Sequence, residues 1–77
     1  EKELLTETEE NNNYMCVGVK DTSAAFLQYL DRQKIALGST FTILKHENFD
    51  HSVTILFLEN ELTLSKVVAH NLFVKKI

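Results

Sequence analysis

The feature that most constrains this chain is a change of hydrophobic period at Thr40. From there to Leu64 the apolar residues fall at alternate positions: Phe41 and Ile43, then Val53, Ile55 and Phe57, then Leu62 and Leu64. A period of two sets successive side chains on opposite faces of a strand, one buried and one wet. The interruptions, His46–His51 and Glu59-Asn60, are polar, and Asn tolerates the left-handed backbone region. Three antiparallel strands in a meander follow, with Glu59-Asn60 predicted as a two-residue hairpin turn. Proline is absent, so no strand loses a ladder donor. Leu56 and Leu58 lie on the nominally outer face, which predicts a second buried surface, between domains or subunits.

Upstream the spacing is helical. Asp21-Thr22-Ser23 is a run of small polar side chains suited to capping free backbone N–H groups. The helix is predicted from about Ser23 to Gln33, with Ala25, Phe26, Tyr29 and Leu30 as its buried stripe and Leu27 at the margin. Ile35 and Leu37 are expected to return to the core, and Gly38 to turn with positive φ. Tyr14–Lys20 reads as the first strand, with Gly18 marking a bulge. Ser65 caps a short helical turn at Lys66–Asn71. Val67, Val68 and Leu72 are expected to plug the barrel end, and Leu72–Lys76 to close it. Residues 1–13 are acidic and then amide-rich, so they read as a linker or disordered leader to a domain at 14–77. The predicted fold is mainly β: a small, partly open barrel of about five strands, one α-helix after the first strand and a short helical turn before the last.

With 77 residues the chain has the size of one domain. It opens on Glu1 rather than Met, which suggests a piece of something longer. Its net charge of −3 and eight scattered basic residues argue against direct DNA or RNA binding, which needs a basic patch. The single cysteine, Cys16, excludes an internal disulfide and favours a reducing cytoplasm. It reads as a buried strand thiol rather than a nucleophile. No apolar run reaches the length of a membrane span.

Two stretches resemble a known family. Phe26–Leu44, FLQYLDRQKIALGSTFTIL, resembles the helix, glycine turn and strand of FeoA-like domains, and Leu62–Val74, LTLSKVVAHNLFV, resembles their closing block. The variant with a "YLD" helix is most similar to the C-terminal domain of the diphtheria-toxin-repressor family of iron- or manganese-dependent transcriptional repressors. The resemblance covers about Met15–Lys76 and implies an SH3-like barrel without enzymatic activity. It further implies a parent protein that is a homodimer, senses Fe2+ or Mn2+, and binds DNA only through an N-terminal domain. The barrel's own partners would be the other domains of its chain, with no membrane contact and no cofactor of its own. Some members lend a Glu and a Gln from the helix start to an ancillary metal site. Those positions fall near Thr22 and Ala25, neither a metal ligand, and Asp21 could serve only through a one-residue shift. The family's hairpin glycine after Lys45 is replaced here by Phe49-Asp50-His51.

The remaining candidates sit in loops. His46, Glu47, Asp50 and His51 combine imidazole and carboxylate, a donor set suited to zinc, manganese or iron. Their spacing matches no established metal motif, and a solvated hairpin tip is the competing reading. His70 reads as a surface or capping residue. Asp21, His46, Asp50 and His51 are thus the metal candidates, and Phe49, Leu56 and Leu58 the interface candidates. No catalytic triad, paired-carboxylate cleft or phosphate loop can be assembled, so the predicted role is binding rather than catalysis. Two other roles remain open: a free-standing FeoA-like accessory of a ferrous-iron transporter, and a generic SH3-like peptide-binding module.

Overall fold

In the computed structural model, which describes residues 1–77, the alternation beyond Thr40 folds as its period requires. Strands β3 (Thr40–His46), β4 (Val53–Phe57) and β5 (Asn60–Leu64) form a meander. Phe41, Ile43, Val53, Ile55, Phe57 and Leu64 all bury on one face. Strand β2 (Asn13–Val19) joins the other side of β3, and β6 (Leu72–Lys76) pairs with β2. Helix α1 (Ala24–Arg32) follows β2, and the single-turn α2 (Lys66–Ala69) precedes β6. Every pairing is antiparallel, and with a short first strand β1 (Glu3–Leu4) the sheet order is β1-β6-β2-β3-β4-β5. The strongly bent sheet is a small open barrel of SH3-like type.

The sixth strand comes from the leader and corrects the reading of residues 1–13 as a linker. Glu3–Leu4, β1, pairs with Phe73 and Val74 on the flank of β6 that β2 leaves open. A turn of 3₁₀ helix, Leu5–Glu7, then drives Leu5 into the core, where it is fully buried. Asn11 donates to the Ile43 carbonyl, and Ile43 donates back to Asn12. The leader is mostly polar, yet one leucine and a free sheet edge are enough to anchor it.

The start of α1 follows its sequence signal. The Ser23 hydroxyl accepts from the Phe26 N–H, and the Asp21 carboxylate accepts from the Ser23 N–H. At the other end, Ile35 donates to the Leu30 carbonyl and Lys34 to that of Asp31, with Lys34 at φ 65°. This is a Schellman ending with lysine at the left-handed position usually held by glycine. Phe26 and Leu30 bury and Tyr29 is partly covered, whereas Ala25 and Leu27 are exposed. The buried stripe is thus narrower than the sequence suggests, because only one side of α1 meets the sheet. Ile35 returns to the core but Leu37 is 73% exposed. Gly38, at φ 91°, redirects the chain into β3 before Leu37 can reach the interior. At α2, Ala69 and Leu72 fill the barrel end, while Val67 faces solvent.

The β4–β5 turn also differs from expectation. Phe57 pairs with Asn60, so the turn residues are Leu58 and Glu59, one position early. Both have positive φ, 52° and 66°, the primed geometry that matches the twist of a hairpin. Leu58 is therefore a turn residue rather than part of the strand's outer face. The register of Ile55 and Leu62 overrides the local preference for Asn at the turn.

Candidate functional site

The chain gathers its three histidines around one polar cavity of about 350 Å3 with no hydrophobic lining residue. His46 comes from the end of β3, His51 from the following loop and His70 from the C-cap of α2. Thr6, Glu7 and Thr8 close it from the leader. The Thr8 hydroxyl donates its one proton to the Leu5 carbonyl at 2.8 Å, so it must accept from His46 at 3.2 Å. That assigns the His46 proton to Nε2. Lys20 has only donors, so His70 accepts through Nε2 in a long 3.5 Å contact. Both carboxylates here are already engaged. Glu7 accepts from the Leu4 N–H, and Glu47 meets Lys45 Nζ at 3.3 Å and the Phe49 N–H.

Of the sequence-proposed metal ligands only His46 and His51 share this cavity, and Asp50 and Asp21 do not join them. The Asp50 carboxylate turns back to accept from the N–H and hydroxyl of Ser52, at 3.0 and 2.7 Å. Those bonds, the backbone one first, hold its carboxyl below the usual carboxylate range. Asp21 stands apart at the mouth of α1. No group of three His, Cys, Asp or Glu side chains is placed to hold one ion. The residues present therefore do not fit a resident metal centre. The sequence reading grouped four neighbours in one loop. It missed that the 3₁₀ turn of the leader and the end of α2 bring Glu7 and His70 to the same cavity, contacts that no spacing along the chain encodes.

The apolar candidates are exposed. Phe49 projects from the 47–52 loop at 93% exposure, and Leu56 and Leu58 are 40% and 60% exposed. Leu56 lies across from Thr42, which pairs with Asn13, and Ile77 donates to the Asn13 carbonyl. Leu56 and the exposed Ile77 thus bracket one row of the outer sheet face. Cys16 is buried in β2, and burial pushes its thiol up, away from the thiolate a nucleophile requires.

Comparison with protein families matches residues 4–76 to the FeoA domain. The chain belongs to the FeoA domain family. The match begins inside the leader, in agreement with the buried Leu5 and the pairing of β1. Comparison with curated proteins gives no match. Among solved structures, this FeoA domain is similar to the manganese-activated repressor ScaR in its apo form. The TM-score is 0.87 at 27% identity, over 96% of this chain and 35% of that one. A manganese-dependent transcriptional repressor in complex with manganese superposes with a TM-score of 0.90 at 16% identity, over 99% of this chain and 37% of that one. The iron uptake regulatory protein FeoA gives 0.84 at 17% identity, over 100% of this chain and 99% of that one. The chain spans about a third of the length of the repressors it matches.

Proposed function

We propose that this FeoA domain is the C-terminal regulatory domain of an iron- or manganese-dependent transcriptional repressor. It acts by packing against the rest of its own chain or by self-association, in the cytoplasm, without touching DNA and without catalysis. The observation that carries the reading is the 27% identity to ScaR, spread over nearly all of this chain and about a third of that one. The acidic surface supports a role away from the operator. Phe49, Leu56 and Leu58 are the contact residues of this reading, because exposed large apolar side chains anchor interfaces. The parent's Fe2+ or Mn2+ is held outside this domain. Asp21 keeps one carboxylate oxygen unused and is the one side chain at the helix start able to lend a ligand to a neighbour's ion.

The test is the operator response of the whole reading frame. Mobility-shift titrations with Mn2+ or Fe2+ would be run with and without residues 1–77. We expect metal-dependent operator binding to survive the deletion with a shifted metal midpoint. A reading frame without a DNA-binding domain, or a response untouched by the deletion, would reject the proposal.

One observation favours a second reading. The iron uptake regulatory protein FeoA has this fold over 99% of its own chain, so a domain of this kind also serves alone, which suits a free-standing accessory of ferrous-iron uptake. A gene that encodes only this domain, beside a transporter gene, would decide for it.

A further inference from the structure

An apolar groove of about 530 Å3 runs between β2 and α1 and shares no lining residue with the histidine cavity. Cys16, Leu30 and Ile35 form its floor, and the exposed Val17, Leu27 and Leu37 its walls. It exists because β3 abandons β2 early. Ladder pairing between them ends at Met15–Thr40, and the last bonds join Cys16 to Gly38 and Ser39. Beyond that point β2 keeps β6 on one flank and has no strand on the other.

The backbone of this free flank can be read from the register. Lys20 donates to the Asn71 carbonyl, so Lys20 faces β6. Val19, paired with Leu72, is the alternate residue, and its N–H and C=O point away from β6 into the groove. The irregularity between Cys16 and Gly18 shifts the register there, as a bulge does. Val19 thus offers one donor and one acceptor side by side, beside apolar walls. Their complement is the donor and acceptor of a single residue in an extended peptide. A lipid tail or an apolar small molecule would leave both groups unpaired in a site that excludes water, at a cost comparable to lost hydrogen bonds.

Charge selects the occupant further. Asp31 is the only charged residue lining the groove, and no Lys or Arg pairs with it. The free edges of a second copy would bring β5 or β1, whose one charge each is Glu61 or Glu3, to a chain already at −3. Like charges disfavour that arrangement. The geometry points to a docking site for an extended segment of a partner protein, apolar at alternate positions and carrying a lysine or arginine beside Asp31. Its backbone pairs with Val19 by strand addition, a mode different from the proline-helix docking of aromatic SH3 grooves.

The test is an NMR titration of the 15N-labelled 77-residue chain with a capped Lys-Thr-Val-Thr-Val peptide amide, whose lysine and two valines all face the groove when its central residue pairs with Val19. We expect shifts at Val17–Val19, Leu27 and Leu37, with slowed exchange of the Val19 amide. Leu37→Ser, at a side chain too exposed to affect folding, should weaken binding roughly tenfold through lost apolar burial. Asp31→Asn should weaken it about threefold, as for an exposed ion pair. A peptide N-methylated at its central residue should lose binding. Shifts centred elsewhere, no shifts at millimolar peptide, or equal binding of the N-methylated peptide would each overturn the inference. Self-association through the same residues without peptide would assign the groove to a second copy and overturn it as well.

Discussion

The leader and the 47–52 loop are alike in composition and opposite in fate. Both are polar, acidic and amide-bearing, with few apolar side chains. In the leader, Leu5 is fully buried; in the loop, Phe49 is 93% exposed. The difference lies in what each segment meets. The leader runs beside β6, whose outer flank lacks a strand, so β1 gains ladder bonds and carries Leu5 over the core. The loop joins two strands already paired with each other, and its polar groups bond inward on themselves. Glu47 donates to the Ser52 carbonyl and receives from His51, while Asp50 holds Ser52. A loop that satisfies its own backbone has no need to bury its aromatic tip.

The sharpest way to break this comparison is to truncate both apolar residues. Leu5→Ala should cost about 2–5 kcal/mol, the range for a leucine removed from a core. Urea denaturation measures it, and hydrogen exchange should show the Leu4 and Asn11 amides opening with it. Phe49→Ala should change stability by no more than about 0.5 kcal/mol. A comparable loss in both variants would mean that Phe49 packs in solution. If the proposed role is right, Phe49→Ala instead weakens the contact between this domain and its neighbours.

A second contrast sets the 47–52 loop against the β4–β5 turn. The loop has one non-glycine residue at positive φ, His51, whereas the two-residue turn has nothing else: Leu58 and Glu59. Non-glycine residues in that region each store on the order of 1–3 kcal/mol. Replacing Leu58-Glu59 by Asn-Gly should therefore stabilise the hairpin by about 1–2 kcal/mol, read as a rise in the denaturation midpoint. Loss of stability would mean that the Leu58 side chain packs against the barrel more than its exposure indicates.

These contrasts mark how far the sequence could be read. Period and caps placed β2 to β6 and both helices, because alternation and Ser23 or Ser65 act over a few residues. The hairpin turn slipped by one position, because register is settled across the sheet by Ile55 and Leu62 rather than within the turn. Leu37 looked buried from its composition, and the direction set by Gly38 sends it outward. The docking of Leu5 depends on an edge that exists only after β6 has formed. The histidine cavity was half legible. His46 and His51 are near neighbours in sequence, but Glu7 and His70 arrive through separate elements. The apolar groove left no local signal, since it results from the early parting of β2 and β3.

The ionic links of the two segments extend the comparison. Lys76 donates to Glu9 at 3.0 Å and ties β6 to the leader. That bond, and then the Glu9 charge, raise the Lys76 ammonium above its usual value. In Glu9→Gln the Lys76 titration should fall back toward that of a free lysine, as followed by NMR of the side-chain carbons. An unchanged titration would mean that the pair does not persist in solution.

The smallest effect belongs to Asp50, which does for the loop what Leu5 does for the leader, by charge instead of burial. Its folded carboxyl lies below the ordinary value, through the Ser52 N–H and then the Ser52 hydroxyl. A group with a lowered folded pKa binds its proton more readily in the unfolded chain. Its contribution is therefore complete above the ordinary aspartate value of about 4 and is lost as pH falls through the lower folded value. Asp50→Asn should lower stability slightly at neutral pH, and the gap to the parent should close on acidification. Because Asp50 is exposed at the tip, its removal should loosen the 47–52 amides while leaving those of β1 untouched. A gap that widened toward low pH would mean that Asp50 is held by repulsion rather than by its Ser52 bonds.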